Sequence, residues 1–227
     1  VQEKVFFNGL CGVLHTPKDY SGTIVFAHGL GSDKVGKGGR YPVLAELFAK
    51  HGFRVLRFDF SGSGESKGDF KDFCLSQAVK DLNDAVGFVG CDVGVLGVSF
   101  SGLASILVSA DNPRVKCLVT QGAVSVPTHY GEGHIGRSYR PGKLSKHFVE
   151  DTRSFDTAGA IKNLPPLLVV HGKDDENVSL GEAHNLFDNA REPKKLLLVP
   201  GDHFLKYASE ESEVFQEMLA WFKGWLR

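Results

Sequence analysis

The segment Asp92–Ala110, DVGVLGVSFSGLASILVSA, decides the fold of this 227-residue chain. Its first part, Val93–Val98, is a short apolar run that hardly alternates, as strands covered on both faces do. Its second part reads as a helix that starts near Phe100 and ends before Asn112-Pro113. Between them stands Gly97-Val98-Ser99-Phe100-Ser101-Gly102. This approximates Gly-x-Ser-x-Gly, a strand-to-helix turn that holds a serine hydroxyl clear of its neighbours and exposes the next N–H. Small residues are needed on both sides because the two backbones nearly touch. Here Ser101 occupies the second glycine position and Gly102 follows one place later. Taken alone, Ser99 is either a nucleophile or a serine used for close packing or as a helix N-cap. Ser101 is the alternative nucleophile.

The same alternation extends outward in both directions. Strand candidates are Thr23–Ala27, Arg54–Phe58, Val115–Thr120, Leu167–Val170 and Lys195–Val199, all short and rich in Val, Leu and Ile. Helical patterns fall between them. Pro42 suits a first turn and Gly52 a stop. Leu75, Ala78, Val79, Leu82, Ala85, Val86 and Val89 make one apolar stripe. Another helix spans Leu180 to Asn189. The last runs from Ser212 to Leu226, with Val214, Phe215, Met218, Leu219, Phe222 and Trp225 facing inward. Near the N-terminus, Asn8-Gly9 between apolar pairs predicts a β-hairpin. The expectation is an α/β chain forming one domain over 1–227, with a mainly parallel, doubly wound sheet. The stretch 125–160 breaks the rhythm. It shows no clear strand and is rich in Gly, His, Tyr and Arg. It predicts a small lid inserted over the sheet edge, with a helix near Lys143–Val149.

Two further strand ends carry polar chemistry. PPLLVVHGKDDENV sets Asp174 and Asp175 just past a buried strand, and KLLLVPGDHF sets His203 past another. Separately these are an acidic turn and a structural histidine. Together with Ser99 they give Ser, Asp, His in chain order on the rim where open α/β sheets build their sites.

With these residues the sequence resembles the α/β-hydrolase superfamily over nearly its whole length. AHGLGSDK is similar to that family's His-Gly oxyanion loop, and RFDFSGSGES to its D-x-x-G-x-G-x-S segment. HGKDDENV is similar to H-G-x-x-D-x-x-V, which places the acid at Asp175. The resemblance implies an α/β-hydrolase fold and a Ser99–His203–Asp175 triad. It implies oxyanion donors at the backbone N–H groups of Leu30 and Phe100. His28 would support the loop rather than act as a base, and it counts among the residues bordering the substrate. HGLGSDK and RFDFSGSGESKGDF look most like small intracellular carboxylesterases of the cinnamoyl and feruloyl type. The implied activity is hydrolysis of a small acyl or aromatic-acyl ester through an acyl-enzyme. Related segments occur in serine peptidases, thioesterases and acyltransferases, which remain alternatives, as does a catalytically dead binding protein. Phe100, Tyr130, His134, Tyr139, Phe148 and Phe204 are candidates for the substrate pocket, with His129 and Phe155 beside them.

The loop after Ala27 also contains Gly31, Gly36 and Lys37 in G-x-x-x-x-G-K spacing. A nucleotide-binding loop needs Ser or Thr next, to hold magnesium, and Gly38 stands there. No cofactor is expected, and no histidine pair has zinc spacing. Lys+Arg 26 against Asp+Glu 27 leaves no basic excess for nucleic acid. No run approaches the roughly 20 apolar residues of a membrane span. Cys11, Cys74, Cys91 and Cys117 lack C-x-x-C spacing and read as buried thiols in a reducing compartment, which points to the cytoplasm. The opening VQEKVFF lacks a signal-peptide pattern. A monomer and a homodimer remain equally open.

Overall fold

The computed structural model describes residues 1–205 and 209–226. In chain order, β1 (Gln2–Phe7) and β2 (Leu10–His15) form a hairpin whose turn, Asn8-Gly9, has positive φ at both positions, 47° and 85°. Then come β3 (Gly22–Ala27), α1 (Arg40–Lys50), β4 (Phe53–Phe58), α2 (Leu75–Val89), β5 (Val93–Val98), α3 (Ser101–Asp111) and β6 (Val115–Gln121). The excursion carries β7 (Ser138–Tyr139), β8 (Gly142–Lys143), α4 (Lys146–Arg153) and α5 (Thr157–Ile161). The chain then returns through β9 (Leu167–Gly172), α6 (Leu180–Asn189), β10 (Lys194–Val199) and α7 (Glu213–Trp225).

Eight strands form one sheet in the order β1-β2-β4-β3-β5-β6-β9-β10. β1 and β2 are antiparallel, and every pairing from β4 to β10 is parallel. Both faces are covered, so every residue of β5 is buried. One apolar cluster packs α2 and α3 against one face; a second packs α1 and α7 against the other. The order reverses between β3 and β5. From β3 the chain turns outward to β4, and it then crosses back to place β5 on the other flank of β3. The registers Ala27–Gly97, Val98–Gln121 and Gln121–Val170 bring the C-terminal ends of β3, β5, β6 and β9 onto one edge. Loops leaving that edge diverge at the reversal and open a crevice.

The final helix buries Val214, Phe215, Met218, Leu219 and Phe222 as expected, but Trp225 is 40% exposed. Phe222 and Leu226 already fill the space over Gly94, where an added Cβ would lie 2.6 Å from Phe222 Cε1 and 3.0 Å from Leu226 Cδ1. No room is left there for an indole. In the excursion the helix begins at Lys146, not Lys143, because Ser145 caps it by accepting from Phe148 N at 3.2 Å. The preceding Gly142-Lys143 pairs with Ser138-Tyr139 as a small antiparallel ribbon that was not expected. Cys11, Cys74 and Cys117 are buried; Cys91 is half-buried and accepts from Arg54 Nη2 at 3.1 Å.

Candidate active site

Ser99 follows β5 directly and sits at φ 57°, in the left-handed region that costs a non-glycine residue about 1–2 kcal/mol. Neighbouring backbone holds it there. Ser99 N donates to Gln121 O at 3.0 Å, and Ser99 O accepts from Gly102 N at 2.9 Å and Val124 N at 3.1 Å. Such a turn needs close approach on both sides. A Cβ on Gly97 would lie 2.4 Å from Ser105 Oγ, and one on Gly102 would lie 2.5 Å from Ala123 Cβ. Gly102, one position later than the motif requires, is therefore the residue that meets the neighbouring strand end. Ser101 is fully buried. Its hydroxyl accepts from Val98 N at 2.8 Å and lies 2.6 Å from the Ala27 carbonyl and 2.9 Å from that of Val98. It fastens β3 to β5, and a hydroxyl so engaged is a poor alternative nucleophile.

Beyond β9 and β10, His203 Nδ1 lies 2.7 Å from Asp175 Oδ2. The Asp175 carboxylate is shielded from solvent, and its Oδ1 accepts from Asn177 N and Val178 N, both at 2.9 Å. Burial pushes the carboxyl upward, but the hydrogen bonds from His203 and these amides outweigh it and hold Asp175 below its ordinary value. Asp174 is exposed and accepts from Gly201 N instead. A second buried histidine, His171, also approaches Asp175 Oδ2, at 3.5 Å, and its Nε2 lies 2.9 Å from Val178 O. Gly122, at the end of β6, lies under the pair: a Cβ there would be 3.1 Å from both Asp175 Oδ2 and His203 Nδ1.

Facing Ser99 is the loop after β3. Among the described residues, the N–H groups of Leu30 and Phe100 have no hydrogen-bond acceptor. His28 is buried, with Nδ1 2.9 Å from Gly29 O and Nε2 accepting from Phe60 N at 3.1 Å. Burial lowers its pKa to about 4, so the ring stays neutral. The same loop rests on a buried ion pair. Asp59 accepts from Lys34 N at 2.6 Å, Lys34 Nζ at 2.5 Å and Glu65 N at 2.8 Å. Burial pulls Lys34 down, but its bonds to Asp59 and Glu65 raise it. The glycine-rich segment is thus braced from beneath by its own lysine.

A cavity of about 370 Å³ opens between these parts, within the range of small-molecule sites. It is lined by Leu30, Ser99 and His203 together with Tyr130, His134, Tyr139 and Phe204, and His129 borders it too. Four expected pocket residues lie elsewhere. His28 is enclosed beneath the loop. Phe148 is fully buried, packed on Phe73, Phe100 and Tyr130, and the Phe100 ring lies in that same aromatic cluster. Phe155 packs against the core as a half-buried residue. The elbow turns the Phe100 side chain inward while its N–H faces out, and α4, starting at Lys146, directs Phe148 toward α2 and α3.

The sequence reading missed Lys37 as a wall residue, and also Arg40, Arg137, Glu176 and Asn177. It missed Glu182 on α6 as well. Glu182 Oε2 accepts from Ser125 N at 2.7 Å, Ser125 Oγ at 2.6 Å and Val126 N at 3.1 Å, and Oε1 lies 3.4 Å from His129 Nδ1. Nothing local in the sequence around Glu182 marks it, because its burial and its partners come from the tertiary structure. Among the described residues, two trios of possible metal ligands, Cys74/His147/Asp151 and Cys11/Asp59/Glu65, lie outside the cavity. Their acids already serve protein donors: Asp151 accepts from Ser76, and Asp59 from Lys34.

Residues 24–216 match the model of a family described as the Alpha/beta hydrolase family. The uncharacterized protein YfhR of Escherichia coli is 25% identical over 210 residues, covering 88% of this chain and 69% of its own. A Mycobacterium tuberculosis protein with a provisional phosphoribosyl transferase name is 31% identical over 94% of this chain, which spans only 43% of that relative. Among solved structures, the esterase domain of a Rhodothermus marinus protein superposes with TM-score 0.80 at 24% identity, covering both chains fully. Est1E of Butyrivibrio proteoclasticus, solved with ferulic acid bound, gives TM-score 0.81 at 21% identity over 97% of each chain.

Proposed function

The chain belongs to the alpha/beta hydrolase family, and from that membership we propose that it is a serine hydrolase of small carboxylic esters. The observation that carries this reading is the 2.7 Å pairing of His203 Nδ1 with a shielded Asp175 carboxylate, on the same cavity as a strained Ser99. Asp175 keeps the Nδ1 proton on His203 and leaves Nε2 to act as base. His203 takes the Ser99 proton as Oγ attacks the ester carbonyl, because a neutral serine hydroxyl is otherwise a poor nucleophile. The carbonyl oxygen becomes an oxyanion and accepts from the unengaged N–H groups of Leu30 and Phe100. One such donor is worth about 3 kcal/mol in the transition state. His203 then protonates the leaving alcohol. Water, deprotonated by the same imidazole, releases the acid and frees Ser99.

Among the described residues Ser99 Oγ makes no hydrogen bond, and this contact commonly tightens only with substrate bound. The esterase neighbours support the reading at the level of fold. Turnover of 4-nitrophenyl acetate by Ser99→Ala tests it. We expect a loss of at least about 10³-fold in kcat, with labelling by a fluorophosphonate probe abolished and the thermal midpoint kept. Retention of a tenth of the activity, or labelling of the variant, would sink the assignment.

A further inference from the structure

The cavity wall is charged out of proportion to the chain. Overall, Lys+Arg 26 face Asp+Glu 27, yet the lining holds Lys37, Arg40 and Arg137 against one carboxylate, Glu176. The cations arrive from two separate segments. On one side, Lys37 Nζ lies 4.0 Å over the Phe204 ring and the Arg40 guanidinium 5.5 Å from it. That ring stands 5.4 Å from the imidazole of His203. On the other side, Arg137 belongs to the excursion, beside the lining residues His134 and Tyr139. Burial, and then the neighbouring His129 and Arg137, pull His134 below its ordinary value.

The same two segments show what a structural cation looks like here. Lys34 is buried on Asp59 and Glu65, and Arg140 is paired with Asp33. By contrast, among the described residues no carboxylate pairs with Lys37 or Arg137. Cations without an acidic partner that line one concave site add their fields there and attract anions more strongly than the same cations scattered over an open surface. Only the Phe204 ring stands between Lys37 Nζ and the imidazole of His203, a spacing that suits a charge carried a few bonds from the ester.

The geometry points to an ester that bears an anionic group, a carboxylate or a phosphate, as the substrate class of this site, with Lys37 and Arg137 as the residues that recognise the charge. This rests on the hydrolase reading above and adds to it which esters are taken. Two matched pairs of substrates separate the possible positions of the charge. For the acyl side, 4-nitrophenyl hemiadipate is compared with 4-nitrophenyl hexanoate. For the alcohol side, 4-acetoxybenzoate is compared with 4-methylphenyl acetate.

At least one pair should favour the anion by about tenfold in kcat/KM, carried by KM, and the preference should shrink in roughly 0.5 M NaCl. Lys37→Gln and Arg137→Gln should each cut the anion-to-neutral ratio about threefold or more. Equal or inverted ratios in both pairs, with Ser99-dependent hydrolysis intact, overturn the proposal and leave the hydrolase reading standing. If no ester is turned over, the hydrolase reading fails. Calorimetric titration of Ser99→Ala with adipate and with inorganic phosphate then decides the anion site alone. Saturable binding weakened by adding Lys37→Gln supports the site, and no binding of either ligand overturns it.

Discussion

The rim at the ends of β3, β5, β6 and β9 and the excursion from Ser125 to Ile161 face each other across one cavity, and they are held by different means. On the rim, backbone meets backbone. Ser99 is fixed by three main-chain hydrogen bonds, and Gly97 and Gly102 leave no room for a Cβ. Across the cavity, the excursion has only 3₁₀ turns, a two-residue ribbon and two short helices. Its root is tied to the body by the Glu182 carboxylate, which accepts from Ser125 and Val126, and its two ends are joined by Thr157 Oγ1, which donates to Ser125 O at 2.8 Å. Tyr139 closes the other end on Gly31, where a Cβ would lie 2.5 Å from Tyr139 Cδ1. The groups proposed for bond-breaking thus sit where small displacements are costly. Arg137, proposed to help choose the substrate, sits where the chain can change without disturbing the sheet.

Mutations can break this contrast, and the largest effect is expected on the rim. Gly102→Val forces two methyl groups against Ala123 and the Val124 carbonyl. It should cost about 3 kcal/mol of stability, read by urea unfolding, and abolish turnover with it. A variant of native stability would mean that the elbow has slack. Next comes the root of the excursion. Glu182→Ala strands the N–H groups of Ser125 and Val126 and should cost about 2 kcal/mol. If the excursion selects substrate, KM should rise several-fold while kcat changes less; an equal fall in kcat would assign Glu182 to the rim instead.

The smallest effect concerns charge beneath the loop after β3. His15 accepts from Arg57 Nε at 2.9 Å, and Arg57 Nη1 donates to Lys34 O at 3.0 Å. Burial, then the Arg57 charge, lowers the His15 pKa to about 4. The unfolded chain therefore binds the proton first as pH falls. This contribution to stability is intact above roughly pH 6.5 and is lost progressively toward pH 4. At pH 5 the loss is on the order of 1–2 kcal/mol. His15→Gln, which keeps an acceptor for Arg57, should flatten the decline between pH 7 and 5, and an unchanged slope would reject this origin.

Much of the sheet was legible because its signals are local. Val93–Val98 is apolar at every position except its glycines, and both faces of β5 are buried. Asn8-Gly9 makes its turn through its own backbone preferences. Ser99, Asp175 and His203 could be singled out because each follows a strand end by a fixed short spacing. Phe148 was misjudged because an aromatic in a Gly-rich segment looks the same whether it faces a pocket or a core. Its direction depends on where Ser145 starts α4 and on the space left by Phe73 and Phe100. Lys34 and Lys37, three residues apart, have opposite fates, and nothing in GSDKVGKG distinguishes them. Asp59, 25 residues beyond Lys34, does so by engaging only that lysine.

The sequence by itself determined the sheet, its covered faces and the three polar residues at strand ends, since hydrophobic period and turn chemistry act over a few residues. Only the tertiary structure decided which aromatics border the cavity, which cations keep no acidic partner and what anchors the excursion. Those outcomes depend on contacts between segments distant in the chain, and short-range patterning carries no information about them.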